Sequence, residues 1–240
     1  MKRLPLQQEG NHRQSRAAVV MGALFILMIV MVVVSIGTGQ VRLSPMDVWH
    51  TLLGQGSARE SLILFDFRLP RIVVSLLVGA GFAVSGCLLQ GLSRNALAEP
   101  GILGINAGAG LAVILFISYY PVQSAASVYT LPLLAFTGAA LTAALIYALA
   151  YTKDREMSSA RLLVVGIAVA AGIAAAMLVL TIRLDPAKYQ FVSIWLAGSI
   201  WGSNWHFVVA LLPWILILLP LAFTKSRVLN VMALGELQAS

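Results

Sequence analysis

The chain has 240 residues, 60% of them hydrophobic and only 10% charged, with a formal net charge of +7 and a mean hydropathy of +0.90. A soluble domain carries about a quarter charged residues, so water cannot solvate this surface and lipid must cover much of it. The 16 Lys and Arg lie between apolar runs and form no basic face, which excludes a nucleic-acid binder and points to the membrane surface.

A helix needs roughly 20 apolar residues to cross the hydrocarbon core. The charge-free runs are 17–41, 72–93, 100–152, 162–182 and 189–224. The first is too long for the apolar core of a cleavable signal peptide, and no small-residue cleavage site follows it. The first, second and fourth each fit one span. The third has 53 residues and must hold two spans, with Pro121, Gln123 and Ser124 marking the turn between them. The fifth has 36 residues, and its middle reads Gly198-Ser199-Ile200-Trp201-Gly202-Ser203-Asn204. That pattern predicts a short broken helix over 191–201, then a full span over 206–224. Non-helical backbone survives at membrane depth only where it is buried in protein or lines a cavity, so this break is a candidate pore-lining element.

The expected fold is therefore all-α: a polytopic membrane helical bundle of about six transmembrane helices plus one short broken or re-entrant helix. Residues 1–16 form a cytoplasmic N-terminal tail, 17–224 one transmembrane domain and 225–240 a cytoplasmic segment. Six spans put both ends on one side. With the N-terminus inside, inner segments hold ten Lys and Arg and outer segments six, so the positive-inside rule favours a cytoplasmic N-terminus. Three stripes of small residues recur at four-residue spacing: Ser75-Gly79-Ala83-Cys87, Gly104-Gly108-Ala112 and Gly166-Ala170-Ala174. Such stripes let helix backbones approach closely; they serve packing, or some of them line a pathway.

Enzymatic signatures are missing. There is no Gly-x-Ser-x-Gly, no His-Glu-x-x-His, no pair of carboxylates inside a span and no phosphate-binding Gly-x-x-x-x-Gly-Lys. One cysteine, Cys87, excludes an intrachain disulfide and a cysteine-rich metal centre, and His12, His50 and His206 share no ligand spacing. No catalytic residue, metal site or cofactor is expected. Energy from a nucleotide would have to come from another chain. No Asp, Glu or Lys falls within a span, which weighs against a carrier coupled to protons or sodium.

Two loops stand out. Arg68-Leu69-Pro70-Arg71 precedes the second span on the less positive, outer side. Its guanidiniums either snorkel to the interface or receive an acidic partner, since Arg forks pair bidentately with carboxylates. On the inner side, the polar segment from Ser93 to Gly101, bounded by Pro100 and Gly101, is either a capped turn or a gate where two spans meet the cytoplasm.

Several motifs, in order and at these spacings, resemble the permeases of iron-siderophore and cobalamin ABC importers. They are Arg68-Leu69-Pro70-Arg71, Gly79-Ala80-Gly81, Ser85-Gly86, Gln90, Asn95-Ala96-Leu97-Ala98-Glu99-Pro100 and Gly104-Ile105-Asn106-Ala107-Gly108-Ala109. Arg161-Leu162-Leu163, Gly166-Ile167-Ala168, Trp195-Leu196-Ala197-Gly198-Ser199, Trp201-Gly202, Trp205 and the terminal stretch from Leu229 to Ala239 extend the match. Two departures stand out: Ala96 replaces the family's usual proline, and the family adds about four more spans. By that resemblance the chain carries the first six of ten spans, as a fragment or a truncated product.

The resemblance implies a permease subunit, not an enzyme, moving a ferric siderophore, or a cobalamin- or haem-type ligand, across the bacterial cytoplasmic membrane. Its implied partners are a second permease subunit, identical or homologous, cytoplasmic ATPase subunits, an extracytoplasmic substrate-binding protein and membrane lipid. It implies docking of the binding protein at Arg68 and Arg71, and a cytoplasmic gate at Asn95, Leu97, Ser159 and Ala160. It also implies ATPase coupling through Leu234, Gly235, Glu236 and Ala239. The competing readings are a secondary transporter with a broken helix and a non-functional truncated permease.

Overall fold

The computed structural model describes residues 5–39, 41–93, 95, 99, 101, 103–120, 127–152 and 159–226. All regular structure among them is helical. The chain divides into two compact units, Met1–Val73 and Val74–Ser240.

The first unit opens with α1 (Pro5–Gly37), which starts before the first apolar run and stops short of its end. Its apolar part, Ser15–Gly37, has no buried residue in its most hydrophobic window. Two short helices follow, α2 (Pro45–Leu52) and α3 (Ala58–Ser61). Each starts on a reciprocal cap. The Ser44 N–H donates to the Asp47 carboxylate at 2.9 Å, and the Ser57 N–H donates to that of Glu60 at 2.8 Å, while each serine side chain accepts from the following turn. These caps satisfy donors that a helix start leaves open.

The expected loop at Arg68-Leu69-Pro70-Arg71 is instead helical. A π-helical stretch, Leu62–Arg68, runs without a break into α4 (Leu69–Ser93). The wider turn lets the Leu69 N–H reach back to the Leu64 carbonyl. Pro70 has no N–H to lose to the ladder, and it sits just past this local widening, where proline does least harm. The continuous helical segment Ala58–Gly91 is long and apolar enough to cross a membrane.

The second unit holds the rest of α4, then α5 (Ile105–Tyr119), α6 (Ser127–Ala150), α7 (Ser159–Ile182), α8 (Pro186–Ala197) and α9 (Trp205–Thr224). Helices thus occur at all six places expected for spans. Five are long enough to cross a bilayer: Ser15–Gly37, Ala58–Gly91, Tyr129–Ala150, Ala160–Ile182 and Trp205–Thr224. The sixth, α5, corrects the expectation. It has 15 residues, about 22 Å at 1.5 Å per residue, short of the roughly 30 Å core. It begins at Ile105 because Gly104, at φ 76°, turns the chain into it. The turn expected near Pro121 lies outside the described residues, as does the segment 227–240.

A glycine makes each close approach to α5. A Cβ on Gly104 would lie 2.6 Å from the Gly166 carbonyl oxygen of α7, and one on Gly166 would lie 2.8 Å from the Leu103 carbonyl oxygen. A Cβ on Gly108 would strike Thr142 and lie 2.6 Å from the Gly138 carbonyl oxygen of α6. One on Gly110 would lie 2.9 Å from Leu196 Cδ2 of α8. The second and third small-residue stripes therefore supply the backbone contacts that hold the bundle. The first does not: a Cβ on Gly79 would meet nothing within 4 Å, and Ser75, Ala83 and Cys87 are exposed. Toward the end where α5 finishes, Val113, Ile114, Ile117, Leu131 and Val192 form the buried core, with Met177, Leu180 and Trp195 packed against it.

Two glycine replacements should have opposite effects. Gly138→Ala places its methyl 2.6 Å from Ala112 Cβ and should destabilise the purified protein by about 1–3 kcal/mol, as overpacking does. Gly172→Ala meets nothing within 4 Å and should be neutral or stabilising by up to about 1 kcal/mol, because Ala is the better helix former. Thermal unfolding of both variants in detergent checks the pair. Equal melting temperatures would show that the α5–α6 seam is not set by backbone approach.

Candidate functional site

The short helix α8 starts earlier than the sequence pattern suggested and ends earlier too. The Asp185 carboxylate accepts the Lys188 N–H at 2.9 Å, and Pro186 occupies the first turn, so the helix begins at Pro186, not Phe191. An acidic cap followed by proline is a legible start signal, outweighed in the sequence reading by the apolar residues further on. The helix stops at Ala197 because Gly198 adopts φ 77°.

Two contacts fix its direction. Lys188 Nζ donates to the Ser118 carbonyl at 3.0 Å, at the last turn of α5, and Leu196 packs on Gly110. Both pairs of positions are eight residues apart, so α8 runs antiparallel to α5 and descends about 12 Å between these contacts. The ammonium also sits where helix carbonyls lack partners and a cation is favoured. Neither Lys188 nor Gly110 was singled out by sequence; a lysine next to a helix start carries no pattern that reveals its partner 70 residues away.

After Ala197 the chain leaves helical geometry for 198–204 and then enters α9. Phe136 of α6 and Trp214 of α9 are in ring contact, centroids 5.2 Å apart, each nine residues from the start of its helix. That contact brings the middle of α9 against the first half of α6. The segment 198–204 links the end of α8, where Leu196 rests on Gly110, to the start of α9. Gly198 and Gly202 both have positive φ, at 77° and 80°. The Ser199 hydroxyl accepts the Trp201 N–H at 3.1 Å, and Asn204 Oδ1 accepts the His206 N–H at 3.0 Å, capping α9. Ser203 is buried, but Trp201 is 81% exposed and Gly198, Ser199, Ile200 and Gly202 are exposed as well. Irregular backbone with this exposure belongs against water or protein, not against lipid.

The gate expected at the other end is described in part. The Asn95 N–H donates to the Gln90 carbonyl at 3.3 Å, and the Ser93 hydroxyl closes the last turn of α4 on Leu89 at 2.6 Å. Asn95 is exposed; Leu97 lies outside the described residues. Ser159 opens α7 and Ala160 follows it, exposed. Arg161 donates to the Thr152 hydroxyl, so the end of α6 and the start of α7 are clipped together. Leu234, Gly235, Glu236 and Ala239 also lie outside the described residues.

Arg68 and Arg71 are placed differently. The Arg68 guanidinium donates through Nη1 to the Ile36 carbonyl and through Nη2 to the Val41 carbonyl. It closes the end of α1, and Gly39 leaves room for it: a Cβ there would lie 3.0 Å from Nη2. Arg71 has a buried Nε with no hydrogen-bond partner. An open apolar groove of about 460 Å³ also lies between α4 and α9, lined by Gly81, Ser85, Leu88, Ile215 and Leu218 and reaching Lys225. Among the described residues, no three His, Cys, Asp or Glu side chains are grouped to hold a metal ion.

The sequence is 45% identical over 230 residues to an iron(3+)-hydroxamate import system permease protein of Bacillus subtilis (strain 168), covering 93% of this chain and 67% of that one. It is 40% identical over 226 residues to an Fe(3+)-citrate import system permease protein of the same organism, covering 94% and 66%. The structure is similar to a metal-chelate type ABC transporter in an inward-facing conformation, with a TM-score of 0.76 and 27% identity, over 92% of this chain and 67% of that one. The chain thus spans about two thirds of the length of these relatives. The profile of the FecCD transport family matches residues 27–240, and the chain belongs to that family.

Proposed function

We propose that the chain is a transmembrane permease subunit of a bacterial ABC importer that carries a ferric chelate of the siderophore type across the cytoplasmic membrane. The observation that carries this reading is helix α8, antiparallel to α5, with the exposed non-helical segment 198–204 that follows it. A backbone break at membrane depth, lined by Ser199, Trp201 and Asn204 and free of charge, suits passage of a bulky ligand through a water-filled path. The iron(3+)-hydroxamate and iron(3+)-citrate relatives support the substrate class.

The permease itself breaks no covalent bond. Separate cytoplasmic ATPase subunits supply the energy, a second permease completes the path, and an extracytoplasmic binding protein delivers the ligand. Asn95, Leu97, Ser159 and Ala160 form the cytoplasmic gate in this reading. Leu234, Gly235, Glu236 and Ala239 transmit ATPase motion, as part of the cytoplasmic segment 225–240 that follows the transmembrane domain 17–224. The N-terminal residues 1–16 and Asn95 face the cytoplasm, and Asp185 faces outward. At the outer end Arg71 is the better docking cation, because Arg68 is already engaged by two carbonyls.

Three measurements test the reading. On a Cys87→Ala background, Ser199→Cys and Trp201→Cys should react with a membrane-impermeant thiol reagent in the assembled transporter, and ferric chelate should slow the reaction. A site that reacts only with lipid-soluble reagents would place the break against lipid. Arg71→Glu should weaken binding-protein docking tenfold or more, since like charges then face each other, while Arg68→Lys leaves docking within about threefold. Equal losses for both would mean that Arg68 also meets the partner. Glu236→Arg should abolish ATP-driven uptake in liposomes yet leave docking intact. Uptake that persists without ATPase subunits and follows an ion gradient would point to a secondary transporter.

A further inference from the structure

Helix α2 is built the wrong way round for water. At about 100° per residue, Met46, Trp49, Leu52 and Leu53 share one side, and Asp47, His50 and Thr51 share the other. The apolar side is the exposed one: Met46 is 63% and Trp49 60% accessible, and Leu52 and Leu53 are exposed as well. On the polar side Thr51 is buried, Asp47 and His50 are half-buried, and each has a local hydrogen-bond partner. Thr51 is buried and donates to the Asp47 carbonyl at 2.6 Å, Asp47 caps the helix start, and His50 Nδ1 meets Gln55 Oε1 at 3.3 Å. Gly54 turns the chain at φ 79°, and Gly56 packs so tightly on Thr51 that a Cβ would lie 2.8 Å from its Cα. The element is capped at its start and closed on Thr51 at its end, with its apolar face outward.

Its position says what covers that face. Arg68 holds the Ile36 and Val41 carbonyls, so the chain just past α1 is fixed at the start of the next membrane span. Val41 is four residues before Pro45, a reach of at most about 14 Å. The helix therefore starts within about 14 Å of the level at which Arg68 holds the end of α1. The exposed apolar surface of Ser15–Gly37 leads directly to it. Arg42 and Arg59, both exposed, bracket it in sequence and suit the phosphates of lipid headgroups.

We propose that α2 is an interfacial anchor, with Met46, Trp49, Leu52 and Leu53 immersed in the headgroup–acyl boundary of the membrane and Arg68 fixing its height. Tryptophan favours that boundary because its ring is apolar and its N–H still finds a partner, and an amphipathic helix of this kind lies in the plane of the interface. The proposal needs only that the chain spans the membrane; it stands whatever the transported ligand.

Nitroxide labels on single cysteines test it. Met46→Cys, Trp49→Cys, Leu52→Cys and, as control, Gln55→Cys are placed on a Cys87→Ala background and reconstituted in phosphatidylcholine–phosphatidylglycerol liposomes. Collision with oxygen should exceed collision with a water-soluble nickel chelate several-fold at 46, 49 and 52, with the order reversed at 55. Nickel-dominated collisions at 46, 49 and 52 would overturn the proposal. So would labels that are nickel-accessible alone but shielded on adding binding protein, which would make the face a protein-docking surface. If a cysteine variant does not reconstitute, brominated lipids decide. Trp49→Phe should lose a quenched component seen with bromines near the headgroup, and an unchanged quenching profile would overturn the interfacial placement.

Discussion

The bundle depends on how closely three helices approach α5. Between helices in lipid there is little hydrophobic driving force, since the acyl chains are as apolar as leucine, so association rests on contact at short range. Gly104, Gly108 and Gly110 meet α7, α6 and α8 respectively, each at a distance no Cβ would permit. Because neighbours surround it, α5 need not match the bilayer thickness. Its 15 residues suffice, and the irregular turn before it survives because Leu103 and Gly104 are buried against Gly166. Polar backbone inside a membrane is tolerated where protein covers it.

The same seam sets the depth of the candidate site. Leu196 can rest on α5 only because position 110 has no side chain, and Lys188 fixes the other end of α8 to the Ser118 carbonyl. Together they determine how far the helix descends before Gly198 ends it. Where it ends, the chain changes from a structure that hides its N–H and C=O groups to one that shows them. Serine, asparagine and turn contacts satisfy some of these groups locally; the rest need water or a protein partner. A path lined this way holds no fixed charge and sets no strong electrostatic barrier, which fits a large ligand better than a bare ion.

Much of this was legible in the sequence, because lipid leaves few choices. Runs of about 20 apolar residues marked where the helices fall, and Gly198, Gly202 and Asn204 marked the break through backbone preferences. Boundaries were less legible. Apolarity delimits what is buried in lipid, not what is helical, so the start of α8 was missed although Asp185 and Pro186 signal it. Pro70 likewise reads as part of a loop, whereas the π-helical stretch ending at Arg68 runs on into α4 and the helix continues through it. Composition could not show which glycines touch backbone. The stripe at Gly79 reads like those at Gly104 and Gly166, yet a Cβ on Gly79 would meet nothing within 4 Å, whereas one on Gly104 or Gly166 would strike backbone.

The two arginines of one motif show why type and spacing alone do not assign a role. Both are cations three residues apart, and either could snorkel or receive a carboxylate. Arg68 is taken up by the unsatisfied carbonyls that any helix end leaves, here Ile36 at the end of α1 and Val41 just beyond it. A planar fork with several donors suits two acceptors on separated residues better than a lysine's point charge does. Drawing that guanidinium away to a partner would strand both carbonyls at the membrane boundary, where an unmade hydrogen bond costs about 1–3 kcal/mol. Arg71 lies in the helix that follows, and its Nε is buried without a hydrogen-bond partner. The motif thus divides into Arg68, which holds two carbonyls at and beyond the end of α1, and Arg71, which holds neither.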